Sequence, residues 1–298
     1  MRRKAILCIS VILLVTVVAM SGCGYKWQSF ETYAEWLRED NDFDSAQSID
    51  LDEPYGIGNE VCLQIAEKYR IAEIAGDGNT KDKTLNVLKW VSDNVIHDGS
   101  QMIDLDKLNG YTLLEYGYGT GKGMNCYCLA LVMTDCMQSL GIKARTVSLM
   151  PKEYDTGDNH VVTHVYLEEE NRWIMVDPSW NAYFSKGDGT IMNVFELRDA
   201  FANGDKALLN AEANHNGEMA DEDYYKKYMA KNLYWFRIML WNDTYSCVPA
   251  GFDLTQWWVD QLTWRIKNGM KVDNKEALIE ETRQMEFVNL NKADFLKP

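Results

Sequence analysis

Positive charge is scarce in this chain: 30 Lys and Arg stand against 45 Asp and Glu in 298 residues, a formal charge of −15. A surface of that sign repels phosphate backbones and anionic lipid headgroups, so no nucleic-acid partner and no basic membrane patch is expected. Histidine is scarcer still, with four residues that do not cluster with the cysteines. The pair Cys126-Tyr127-Cys128 is too tight for the two-residue spacer of common zinc sites, so no metal is expected. The sequence has no phosphate loop, dinucleotide fingerprint or calcium loop, and therefore no expected cofactor. It also lacks internal repeats and low-complexity tracts. Of the seven cysteines, Cys8 and Cys23 fall in the leader described below, and the remaining five have no regular spacing. An odd, irregular set excludes a disulfide framework and leaves at least one free thiol.

What is present is ordinary for a globular protein: 46% apolar and 25% charged residues in a chain long enough to bury a sizeable core. The first residues stand apart. Arg2, Arg3 and Lys4 precede an apolar run from Ala5 to Ala19, closed by Met20-Ser21-Gly22-Cys23. This pattern resembles a bacterial lipoprotein signal over 1–22, with Cys23 as the lipidated residue; Met20 departs from the more usual Leu. The alternative is an uncleaved signal anchor. Either way the rest of the chain is expected outside the cytoplasm, held to the membrane through lipid at Cys23. Loss of the leader removes three positive charges and moves the formal charge from −15 to −18.

Residues 23–58 read as a tether and an acidic linker, with a short helix over 29–38. Asn59 is a plausible cap for a helix running to Ala75 and stopped by Gly76, and a second helix carries Leu85, Leu88, Val91 and Val95 at helical spacing. The stretch over 113–123, with five glycines counted from Gly110 and with Tyr111, Tyr116 and Tyr118, reads as a loop with aromatic content. Asn125 then caps a helix whose apolar stripe includes Leu129, Val132, Met133, Cys136, Met137 and Leu140, with Gly141 as its left-handed stop. Strands follow at 146–149, 160–168 and 173–177. Helix followed by antiparallel strands is an α+β order. Beyond 184 the chain is mixed; 232–241 fits a buried strand or a short buried helix, and 274–289 looks helical. The late tryptophans fit either ligand stacking or core packing, the second being preferred. His215 has no partner in sequence and reads as a surface residue.

The stretch from Gly121 to Arg145 is where chemistry is expected. Cys126 opens the helix, where unpaired amides and the helix dipole favour a thiolate, and Gly121 and Gly123 would let a substrate carbonyl approach. A cysteine nucleophile needs an imidazole and a group to orient it. If the hairpin after residue 160 turns symmetrically about Glu170-Asn171, paired positions sum to 341, which sets His164 opposite Asp177 and leaves His160 two steps too far from the turn.

These residues, with Ala130, Gly141-Ile142-Lys143-Ala144-Arg145, Thr163-His164-Val165-Tyr166, Trp173 and Val176-Asp177-Pro178-Ser179-Trp180, resemble the transglutaminase-like cysteine enzyme superfamily. The upstream Trp90-Val91-Ser92-Asp93-Asn94-Val95 is similar to the helix that often precedes that core. The resemblance covers about a third of the chain. It implies a papain-like α+β core with the nucleophile helix packed on an antiparallel sheet. It also implies a triad of Cys126 as nucleophile, His164 as base and Asp177 as orienting residue, with acyl transfer through a thioester. Cys128 either packs inward, the preferred reading, or forms a strained bond with Cys126. The oxyanion donors stay open: the Cys126 amide is one candidate, and a side chain of Tyr111, Tyr116 or Tyr118 another.

The domain reading is therefore a signal over 1–22, a tether and linker over 23–58, the core with its preceding helices over 59–185, and a C-terminal extension over 186–298 packed on that core. The expected function is hydrolysis of peptide or protein amide bonds at the cell envelope, with transfer to an amine left open. The alternative is an inactive scaffold or binding module of the same fold.

Overall fold

Polar caps decide where the helices begin. Ser29, Asn59, Asn79, Asn109, Asn125 and Asn193 each accept a hydrogen bond from a first-turn amide, a group that has no partner within its own helix. The helices so started are α1 (Phe30–Glu39), α2 (Glu60–Tyr69), α4 (Thr80–Asn94), α5 (Gly110–Gly117), α6 (Cys126–Ser139) and α7 (Val194–Asn203). A short α3 (Ile71–Ala75) follows α2, and α8 (Glu222–Asn232), α9 (Leu254–Lys267), α10 (Lys275–Arg283) and α11 (Lys292–Phe295) lie further on. The computed structural model describes residues 27–46, 48, 55–154, 158–240, 243–272, 274–285 and 287–298. The leader, Cys23 and part of the acidic linker are outside the described residues. Among the described residues no helix is long and apolar enough to cross a membrane.

Two helical expectations change. The helix expected from Asn59 to Ala75 is broken at Arg70, which adopts a left-handed conformation (φ 53°) and separates α2 from α3. The first half of the loop expected over 113–123 belongs instead to α5, because Asn109 and Thr112 cap each other reciprocally and outweigh the glycine content.

The strands are β1 (Ile96–His97), β2 (Gly123–Met124), β3 (Ala144–Met150), β4 (His160–Leu167), β5 (Arg172–Val176), β6 (Phe184–Ser185), β7 (Leu208–Leu209), β8 (Asn214–His215), β9 (Glu218–Met219), β10 (Trp235–Leu240), β11 (Asp243–Cys247) and β12 (Val288–Asn289). Six of them form one sheet in the order β12-β11-β10-β3-β4-β5, antiparallel except for the parallel pair β11 and β12. The segment over 232–241 is thus the strand of the two alternatives, and the expected helix over 274–289 ends early and finishes as β12. The C-terminal part does more than pack on the core, since it extends the core's own sheet through β10.

The sheet is buried on both sides around β3, β4 and β5, and β4 is buried along its whole length. One face carries Ala144, Val165, Leu167, Ile174 and Val176 against α6 and the helices behind it. The other carries Val147, Val162 and Met175 into a second core with Phe195, Tyr225, Trp235 and Trp257. Trp235 and Trp257 meet edge to face at 5.3 Å in that core, which is the packing reading of the late tryptophans.

Candidate active site

Cys126 is the first residue of α6, and the chain before it is fixed from two sides. Asn125 accepts from the Cys128 amide at 3.1 Å, while its own side-chain amide donates to the Gln101 carbonyl at 3.2 Å. One step earlier, β2 lies parallel to β1, with His97 beside Met124, and the Asp98 amide donates to the Met124 carbonyl at 2.9 Å. A Cβ on Gly123 would stand 2.5 Å from the Cβ of Asp98. The glycine therefore admits the neighbouring strand, where the sequence suggested room for a substrate. Cys126 itself packs on Ala130 and Val161 and is 5% exposed.

His160, next to Val161, is the imidazole that reaches this thiol. Its Nε2 and the Asp177 carboxylate oxygen Oδ2 are 2.6 Å apart, with both side chains buried. Nδ1 is buried without a well-aligned hydrogen-bond partner. Burial works against charge on the ring, but the Asp177 carboxylate, by charge and hydrogen bond, and then the nearby Cys126 thiol outweigh it and push His160 up to about 10. Burial likewise pushes Asp177 up, yet His160, a hydrogen bond from the Tyr225 hydroxyl (2.7 Å) and one from the Ser179 amide (2.9 Å) hold it below the usual carboxylate range. The two directions agree on an imidazolium–carboxylate pair.

The expected partnership of His164 with Asp177 is therefore corrected. The hairpin does not turn on two residues: Glu168–Glu170 form a 3₁₀ turn, and Asn171 closes it in the left-handed region at φ 49°. Its side-chain oxygen accepts from the Tyr166 hydroxyl, which holds the turn in place. The closing pair is Leu167 with Arg172, so His164 stands opposite Met175, and Asp177 continues past Val176 toward the open end of β4, where His160 lies. His164 is a core residue. It stacks on Trp173 at 5.8 Å, stands opposite Arg145 in the ladder, and is held well below its ordinary pKa by burial and by that guanidinium.

Cys128 faces the core with Leu129 and Val132, and burial, then the charge of Cys126, pushes its thiol up to about 12. It is a free thiol in this structure, as are Cys62, Cys126, Cys136 and Cys247. The tyrosines proposed for the oxyanion side belong to other contacts: Tyr111 lies under Lys68, Tyr116 under Lys122, and Tyr118 against Tyr69 and Trp90.

Sequence reasoning missed α8. From it Tyr225 reaches Asp177, and Tyr228 sets its ring edge-on to His160 at 5.1 Å. The spacing of Tyr224, Tyr225 and Tyr228 on one helical face was the available signal. His215 was also misread: its Nε2 is 2.8 Å from Nδ1 of His97 and its ring lies 4.7 Å from Trp180. Burial, then the neighbouring His160 and His215, lower His97 to about 4, so this second imidazole beside the site is neutral.

The "Transglutaminase-like superfamily" matches residues 68–178, little more than a third of the chain. Among solved structures, a candidate cysteine protease from Cytophaga hutchinsonii matches at 18% identity and a TM-score of 0.34, with 54% of each chain covered. The chain thus spans about half the length of that protein. Among curated proteins, none matches this sequence. Cys126, His160 and Asp177 all fall inside the stretch that is similar to the transglutaminase-like superfamily, whose members are in general cysteine enzymes.

Proposed function

We propose that the chain is a cysteine enzyme that cleaves amide bonds of peptides or proteins through a thioester, with Cys126 as nucleophile, His160 as acid and base, and Asp177 as the group that orients and charges His160. The observation that carries this reading is the buried His160–Asp177 pair set beside a thiol at a helix start. In the charged pair the Cys126 proton already sits on Nδ1 of His160, and the sulfur attacks the acyl carbon as a thiolate. First-turn amides of α6, which have no partner within the helix, are suited to the oxyanion that forms. Collapse of this intermediate breaks the C–N bond, and the departing amine takes the proton from His160. Water, deprotonated by the same imidazole, then attacks the thioester and releases the acid, which restores the thiolate beside the imidazolium. Water is preferred over an amine because it is the default acceptor.

Incubation of the full chain with a peptide library, with and without a primary amine, reads this directly by mass spectrometry. Hydrolysed peptides that disappear in Cys126→Ser are the expected result. Products that persist in that variant would defeat the assignment, and amine adducts in place of acids would make the enzyme a transferase.

The location proposed with this function is the outer side of a bacterial cell membrane, through lipid on Cys23. The leader pattern and the acid surplus support it. A lipid label incorporated by the full chain and still present in Cys23→Ser would exclude it.

A further inference from the structure

Helix α8 turns an aromatic shelf toward the reacting groups. Tyr228 touches His160, and Tyr224 lies parallel to Tyr228 at 6.4 Å with 45% of its surface exposed. Trp180 closes one end, 6.1 Å from Tyr224. On this shelf the chain lays its own Trp27, two residues before the Ser29 cap of α1. The indole lies 5.5 Å from the ring of Tyr224 and 5.9 Å from that of Tyr228, both at 21°. Two ammonium groups complete the slot, Lys227 at 5.5 Å and Lys231 at 5.0 Å from the indole centre. Lys231 is 2% exposed and its charge is balanced by Asp158, so it is held in place.

We propose that this slot is a substrate subsite for an aromatic side chain near the cleaved bond, and that Trp27 fills it in the free chain as a built-in competitor. The proposal rests on the catalytic reading above for the words substrate and cleaved bond. The slot itself rests on the rings alone. Stacking faces below and cations around the ring favour a flat π-system, whereas an aliphatic side chain gains nothing from the ammonium groups. Only Tyr228 separates the slot from His160, a reach of about two or three extended residues from the reacting carbonyl. The thiol beside it is 5% exposed, so a substrate enters by moving a covering group, and Trp27 is placed to be that group.

The test uses the full chain and two readouts. Binding of N-acetyltryptophanamide, followed by ligand-observed NMR, is expected to tighten at least tenfold in Trp27→Ala and to be lost again when Tyr224→Ala is added. Unchanged binding in Trp27→Ala, or binding indifferent to Tyr224, overturns the slot whatever the chemistry of Cys126. Trp27→Leu replaces the alanine variant if that one fails to fold. Inactivation by two peptidyl chloromethyl ketones, with Phe or Gly as the residue preceding the warhead residue, gives the second readout. Trp27→Ala should speed the Phe reagent about tenfold and the Gly reagent less than twofold. Equal acceleration of both would make Trp27 a plain cover and overturn the specificity. Tighter binding of the indole amide with no Cys126 alkylation by either reagent would leave the aromatic slot standing and defeat the catalytic reading.

Discussion

His160→Gln should lower the rate of Cys126 acylation by about a thousandfold or more, whereas His164→Gln should change it less than about threefold. The first variant keeps the bulk of the ring but removes the nitrogen that faces the thiol and the partner that Asp177 charges. The second alters a residue packed between Trp173 and Phe295, on the same strand as His160 but four residues nearer the hairpin turn. Acylation is read with an activated ester, and alkylation by iodoacetamide should place the two variants in the same order without knowledge of the substrate. Equal effects of the two variants would return the assignment to the symmetric hairpin. The pair also sets a pH signature. His160 is raised, so its contribution to folding is complete below the ordinary imidazole value of about 6.5 and is lost as pH rises toward about 10. Asp177 is lowered, so its contribution is complete above about 4 and is lost as pH falls through its depressed value. Stability should therefore peak between about pH 4 and 6.5 and decline in alkali, and His160→Gln should flatten the alkaline limb.

Phe295→Ala should cost about 3–5 kcal/mol of folding stability, the range for removing a fully buried aromatic side chain. Phe295 is completely buried between Phe195 at 5.4 Å, Phe236 at 6.0 Å and His164 at 6.1 Å. Its ring lies 5.1 Å from the Arg145 guanidinium, and its carbonyl accepts a hydrogen bond from that same group. Alanine would leave a cavity bordered by a buried cation, which makes collapse of the surroundings unfavourable. Chemical denaturation read by tryptophan fluorescence measures the loss. A cost below about 1 kcal/mol would mean that α11 docks loosely and that the aromatic cluster closes without it.

Much of this was legible because it is local. Asn59 and Asn125 announce helices by capping chemistry, Gly141 stops α6 in the left-handed region, and the apolar stripe of α6 places Cys126 at its start. Fold class followed from the order of those signals. The errors lie where the chain closes on itself. Asn171 is a residue type that enters the left-handed region readily, but nothing local announces the Glu168–Glu170 turn before it, which moves the partner of each β4 residue by two positions and so took the expected imidazole from His160 to His164. Tyr225 is separated from Asp177 by 48 residues, and His97 from His215 by 118, contacts that no local period encodes. The Arg70 kink is similarly a tertiary matter, since arginine has no local preference for φ 53°.

The pairing of β3 with β10 bears on where this protein can be cut. The superfamily match ends at residue 178, but β3 is an interior strand because Trp235, Phe236, Arg237 and Ile238 pair with it from beyond that point. A fragment limited to the matched residues would present β3 as a bare, apolar edge, with free amides and carbonyls ready to add a strand from a second molecule. Such an edge recruits copies of itself, and the Tyr225 hydroxyl would be missing from Asp177 as well. The smallest soluble unit of this protein is therefore set by hydrogen-bond saturation of a strand, and lies well outside the boundaries that family resemblance draws.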